Sequence, residues 1–195
     1  MVINYLGKQF FKITHGDLTL ATNPSGKGRF GADVVFVSTK HKDYNQTDLV
    51  SFGDKQPFVI SGPGDYEIKG VTAQGFYTET EIDKKKYVNT VYNLELSDMK
   101  ICFLGLAREL SNEVKEALEE PDVLFVAVGD DPEKAYKVSL SLEPKIIIPM
   151  DFEPGSKEIK TFMKEGSSKT EAVDKLTLKA KDLQDKDGEI ILLKQ

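Results

Sequence analysis

Two runs in the second half of the chain, Val123-Leu124-Phe125-Val126 and Ile146-Ile147-Ile148, contain no polar residue. A strand that is apolar on both faces must be covered on both, the situation of parallel strands in a layered α/β domain and not of a sheet open to water. The flanking pattern supplies the cover. It reads as a strand over 100–104, a helix over 112–119, a strand over 123–128, a helix over 132–142 and a strand over 146–149, which is βαβαβ order. Ser111 is placed to cap the first helix and Asp131 the second, where Pro132 fills a first helical position whose N–H would have no partner in any case.

The first half differs. Short β-branched and aromatic runs over 10–14, 18–21, 34–38, 58–61, 66–77 and 90–96 are separated by Asn23-Pro24-Ser25-Gly26, Gly53-Asp54 and Gly62-Pro63-Gly64-Asp65. These combinations fix φ or tolerate a positive one, and they predict turns. Residues 156–165 predict a further helix closed by Gly166, and 176–178 and 190–193 predict strands paired across Asp185-Lys186-Asp187-Gly188. Strands first and βα units after them imply two sheets with helices outside. With 195 residues and no repeat or low-complexity linker, the expectation is a single domain over 1–195, because separate cores need about 100 residues each.

Charge and composition exclude several classes of function. The net charge is -6 and the basic residues are scattered, so no stripe exists to neutralise a phosphate backbone, and nucleic acid is not an expected partner. The run Lys84-Lys85-Lys86 follows Glu79, Glu81 and Asp83 and reads as a solvated turn. Cys102, the one cysteine, sits in Ile101-Cys102-Phe103-Leu104 as a buried thiol, which excludes an internal disulfide or a thiolate metal cluster. No basic, then apolar leader opens the sequence, and no apolar run approaches membrane-spanning length. The expectation is a cytoplasmic protein without a membrane partner.

The candidate chemistry lies after the strand over 34–38, in Thr39-Lys40-His41-Lys42-Asp43-Tyr44. With Ala32-Asp33-Val34-Val35-Phe36-Val37-Ser38 before it, this segment resembles the strand and loop of the metallo-β-lactamase superfamily, which carries His-x-His-x-Asp-His. Asn23-Pro24, Gly64-Asp65-Tyr66-Glu67, Asn89-Thr90-Val91-Tyr92, Phe103-Leu104-Gly105-Leu106, Pro121-Asp122-Val123 and Pro149-Met150-Asp151 resemble segments of its compact metal-dependent hydrolase-like group, in the same order. The resemblance spans nearly the whole chain. It implies an α/β fold, the four-layer αββα sandwich of the metallo-β-lactamase type, in which strand ends converge imidazoles and carboxylates on metals that activate water.

The departures from that pattern are specific. The resemblance places Thr39 and Tyr44 at the first and last histidine positions, Leu106 at a bridging aspartate, Asp151 at a histidine and Asn23 at an aspartate. A dinuclear site of that family draws on about five histidines, the nitrogen ligand that suits zinc. This chain has two, His15 and His41, and His15 lies in the turn Thr14-His15-Gly16-Asp17. What remains is a remnant site of His41, Asp43 and Asp151. In the family's fold Asp151 faces the His41 loop, so that set would hold at most one divalent metal ion, iron or manganese in preference to zinc. The competing reading makes His41 a polar loop residue and Asp43 a cap for the following segment.

No nucleophile elbow, phosphate loop or dinucleotide fingerprint offers another enzyme class. Gly26-Lys27-Gly28 and Gly62-Pro63-Gly64 lead into strand and not into a helix N-terminus. The sequence therefore predicts a non-catalytic homologue, a pseudoenzyme with a degenerate metal site and no cofactor, binding a small molecule or a protein. Thr39, Tyr44 and Leu106 are the ligand-contact candidates, and Tyr44, Lys40, Lys42 and Arg108 an alternative small-molecule or anion pocket. A metal-dependent hydrolase with an altered mononuclear site and a scaffold acting as a homo-oligomer stay open as alternatives.

Overall fold

The computed structural model describes residues 1–118, 120–166 and 171–195. Its strands are β1 (Val2–Tyr5), β2 (Phe11–His15), β3 (Leu18–Thr22), β4 (Val34–Phe36), β5 (Phe58–Ile60), β6 (Gly64–Ile68), β7 (Val71–Ile82), β8 (Lys85–Leu96), β9 (Met99–Phe103), β10 (Val123–Ala127), β11 (Ile146–Met150), β12 (Leu176–Thr177) and β13 (Glu189–Ile190). Its helices are α1 (Asn112–Ala117), α2 (Pro132–Leu140) and α3 (Lys157–Glu165).

One sheet runs β12-β1-β2-β3-β4-β5 and the other β13-β11-β10-β9-β8-β7-β6. Strands β9, β10, β11 and β13 are parallel, as the apolar runs required, while β6 to β9 form an antiparallel meander. The inner faces share one core in which Phe103 stacks on Phe125, the centroids lying 4.3 Å apart, and Phe11 meets Phe125 edge-on at 4.7 Å. Tyr92 crosses this core: its buried hydroxyl donates to the Val37 carbonyl at 3.1 Å and accepts the Gly62 N–H at 3.0 Å. Burial pushes its phenol up to about 12.

All three α-helices cover the outer face of the second sheet, burying Val114, Ala135, Val138, Ile159 and Phe162 against Cys102, Leu124, Val126 and Ile147. The outer face of the first sheet is covered by a loop and a 3-10 turn (Thr47–Val50) that bury Phe10, Ala32 and Val50 against Ala21, Val35 and Val37. The αββα order of layers thus holds, with the layer over the first sheet reduced to a single tight turn. Ser111, Asp131 and Ser156 cap the helices through side-chain oxygens that accept N–H groups of the first turn. Among the described residues no helix is long and apolar enough to cross a membrane.

Several expectations are corrected. Strand β1 was not read, because four residues with one buried face carry little pattern. The single strand expected over 66–77 is a hairpin, broken where Lys69 and Gly70 both take positive φ, the requirement of a two-residue primed turn. The run Lys84-Lys85-Lys86 is the tip and first rungs of the β7–β8 hairpin, exposed to solvent as expected. The two C-terminal strands are not a hairpin: β12 joins β1 and β13 joins β11, in different sheets, with a 3-10 turn (Ala180–Leu183) between them. The helix read over 112–119 ends at Ala117, and Glu119 lies outside the described residues.

Candidate functional site

Five strand exits meet at one end of the sandwich, each bent by a residue with positive φ: Lys8 after β1, Asn23 after β3, Gly105 after β9, Gly129 after β10 and Asp151 after β11. In three of these a side chain occupies the left-handed region that normally favours glycine, a cost sustained only where the surroundings over-determine the conformation. Hydrogen bonds supply that constraint. Asp151 N–H donates to the Lys8 carbonyl at 2.6 Å, and Asn23 N–H to the Phe36 carbonyl at 2.8 Å.

Side chains from these exits form a connected polar floor. Gln9 donates to Asp151 Oδ2 at 3.0 Å and accepts from Asn23 Nδ2 at 2.9 Å, while Asn23 Oδ1 accepts the Ser38 N–H at 2.7 Å. Thr39, 1% exposed, donates to Asn89 Oδ1 at 3.1 Å, and the same oxygen accepts the Leu106 N–H at 2.8 Å. Asn89 Nδ2 in turn donates to the Leu104 carbonyl at 3.0 Å and Thr78 Oγ1 at 2.8 Å. Gly105 lies so close that a Cβ there would overlap Asn89 Oδ1, which leaves only glycine at that bend. Among the described residues no buried side-chain nitrogen or oxygen lacks a partner.

The motif loop turns its residues in different directions. Tyr44 donates its hydroxyl to Asp151 Oδ2 at 2.9 Å. Its burial, and then the nearby Asp151 carboxylate, hold the phenol well above its usual range, so it stays a donor. His41 is almost fully buried; its Nδ1 accepts the Asp43 N–H at 3.3 Å and its ring meets Tyr87 edge-on at 5.3 Å. Asp43 pairs with Lys8 at 3.2 Å, and the 3-10 turn that follows has no side-chain cap, so the capping role expected of Asp43 is corrected to an ion pair. The loop residue that reaches Asp151 is therefore Tyr44. Among the described residues no three His, Cys, Asp or Glu side chains gather as a metal cluster would. His15 pairs with Ser97 at 2.7 Å, on the hairpin end of β2.

Above the floor lies an open cleft of ≈ 720 Å³, lined by Tyr44, Leu106, Arg108, Asp130 and Asp151, by the paired Glu109 and Lys134, and by Glu79, Glu81 and Asp83 of the β7–β8 hairpin. Arg108 reaches across Gly129, where a Cβ would overlap Nη2, and donates Nη1–H to the Ala127 carbonyl. Burial pulls its guanidinium below its usual range, an effect opposed by Asp130, Asp151 and Asp131. Lys40 lies instead in a separate recess of ≈ 410 Å³ with Ser61, Lys86 and Tyr87, and Lys42 is exposed on the loop. The anion pocket expected from Lys40, Lys42, Tyr44 and Arg108 together is therefore not assembled, and carboxylates dominate the cleft walls.

Sequence reasoning missed Lys8 and Gln9, and it named Asn89 and the Glu79, Glu81 and Asp83 set without placing them at the site. Gly129-Asp130-Asp131 could have been found, since a glycine and two carboxylates directly after a buried parallel strand stand where α/β sheets place ligands.

The profile described as beta-lactamase superfamily domain matches residues 2–151. Among solved structures, the chain is similar to a Thermotoga maritima protein of the metallo-beta-lactamase superfamily, assigned as a Zn-dependent hydrolase, at 28% identity over 99% of both chains and a TM-score of 0.78. A metallo hydrolase from the archaeon Ignicoccus hospitalis matches at 16% identity over 91% of this chain and 99% of that one, with a TM-score of 0.62. A Veillonella parvula protein assigned as a metal-dependent hydrolase matches at 13% identity over 91% and 99%, with a TM-score of 0.64. The last two show the fold alone. No curated protein matches the sequence.

Proposed function

The chain belongs to the β-lactamase superfamily, and we propose that within it this protein is a non-catalytic homologue that binds a ligand in the cleft where the family resemblance implies a metal centre. The observation that carries the reading is the mutual engagement of the residues at the ligand positions. A metal ligand must offer an uncommitted lone pair. Thr39 spends its hydroxyl proton on Asn89, Leu106 has no donor atom, one Asp151 oxygen accepts from both Tyr44 and Gln9, and one Asp43 oxygen is paired with Lys8. His41 Nδ1 is taken by the Asp43 N–H, and among the described residues no three His, Cys, Asp or Glu side chains gather, whereas a catalytic zinc is held by about three protein ligands and keeps a further position open. The residues present do not fit the metal.

Two features support a retained binding role. The cleft stays open at ≈ 720 Å³, within the span of small-molecule sites. Left-handed backbone also occurs at Asp151 in its lining and at Lys8 and Asn23 in the floor beneath, and such outliers are found where ligands are held. Elemental analysis of protein purified without chelator tests the reading and is expected to give well under roughly half an equivalent of any transition metal. A content above that level, removed by His41→Ala, would replace this proposal with a hydrolase of altered, mononuclear site.

A further inference from the structure

The cleft lining carries both signs among its uncommitted side chains. Arg108 donates one guanidinium N–H to Ala127; among the described residues no other acceptor meets it and no carboxylate lies within ion-pair distance. Since no buried polar atom is left unpartnered, its remaining N–H groups reach the solvent of the cleft it lines. The guanidinium is held in place by the glycine it crosses and by the Ala127 carbonyl, so its planar fork is presented in one orientation. Such a fork is the donor set that grips a carboxylate through two parallel hydrogen bonds.

The same cleft is lined by Glu79, Glu81 and Asp83 of the β7–β8 hairpin, whose Lys84, Lys85 and Lys86 stand outside the lining. Glu79 is engaged by Lys86 and by the Tyr77 hydroxyl, while Glu81 and Asp83 have no cationic partner among the described residues. A simple anion at Arg108 meets the neighbouring field of Asp130 and Asp151. A simple cation at the tip leaves the guanidinium without an acceptor. A ligand with both charges answers both signs, and cleft geometry concentrates these fields beyond their value on an open surface.

We propose that the cleft takes a small zwitterion, its carboxylate gripped by Arg108 and its ammonium turned to Glu81 and Asp83 at the β7–β8 hairpin tip. This rests on the ligand-binding reading above and gives it a substrate class, an amino-carboxylate of amino-acid or short-peptide type. Isothermal titration at low ionic strength compares 4-aminobutanoate and 6-aminohexanoate with hexanoate, which carries only the anion, and hexylamine, which carries only the cation. At least one amino acid of the pair binds more tightly than either monovalent probe. Arg108→Met weakens it about tenfold or more, as loss of a charge-assisted pair does, and Arg108→Lys recovers part of the loss. Glu81→Gln with Asp83→Asn, on the exposed tip where folding is not at stake, removes the preference over hexanoate.

Hexylamine binding as tightly as the zwitterions, or affinity unchanged by Arg108→Met in a folded variant, overturns the proposal. Absence of binding by every probe overturns it too. A fragment screen by ligand-observed NMR then separates the two levels. A neutral or aromatic fragment displaced by Leu106→Trp retains the cleft as a ligand site and discards the zwitterion, whereas no fragment at all discards both.

Discussion

Asn89 joins three segments through one side chain: its oxygen accepts from Thr39 and Leu106, and its amide nitrogen donates to Leu104 and Thr78. Asn89→Ala would leave these groups buried without partners, at about 1–3 kcal/mol for an unpaired buried group. The expected outcome is a loss of about 3 kcal/mol in urea unfolding followed by tyrosine fluorescence, and a loss below about 0.5 kcal/mol would mean that water or relaxation satisfies them. At this scale part of the cleft lining was legible in the sequence. Of the candidates named from the sequence, Tyr44, Leu106 and Asp151 line one cleft, while Thr39 is buried in the floor beneath it. The partners that bind them were not legible. Gln9 and Asp151 are 142 residues apart in sequence and meet only because β1 and β11 end at the same place, which no local spacing records.

Between elements, Asp33 at the start of β4 ties both sheets together: it accepts from Thr19 N–H at 2.8 Å, Lys55 at 2.7 Å, and Lys69 in the β6–β7 turn at 3.2 Å. Burial alone would raise its carboxyl, but the hydrogen bonds from Lys55, Thr19 and Lys69 outweigh it and hold the group below its ordinary value. A lowered folded-state pKa favours the charged form in the native state. The stabilisation is complete above the unfolded-chain value near about 4 and fades as the pH falls through the lower folded value. Asp33→Asn should therefore cost about 1–3 kcal/mol at neutral pH, with the gap to the parent narrowing in acid. Urea midpoints at neutral pH and at about pH 3 check this, and an undiminished gap in acid would point to packing and not charge. The elements themselves were readable where physics is local, as in the apolar β10 and β11 and the capped α2 and α3. The β6–β7 turn escaped because Lys69 supplies the positive φ usually advertised by asparagine or glycine.

At the scale of the whole molecule, one core runs from Ile3 and Phe11 of the first sheet to Phe125 and Ile148 of the second. Neither sheet can expose its inner face without the other, so the chain is expected to unfold in a single calorimetric transition. The calorimetric enthalpy should equal the van't Hoff value, at about 140 kcal/mol from per-residue averages near 60 °C. Two resolved transitions would divide the chain into separate folding units. The interlocked polar floor has a further consequence, for descent more than for folding. Gln9, Asn23, Asn89 and Tyr44 each serve a partner that depends on them, so replacements among them are coupled. A lineage that replaced these residues one codon at a time would lose stability at each early step, because each single change strands the partner of the residue it removes. With a margin of only about 5–15 kcal/mol in an ordinary domain, such changes are tolerated chiefly where compensating changes elsewhere accompany them.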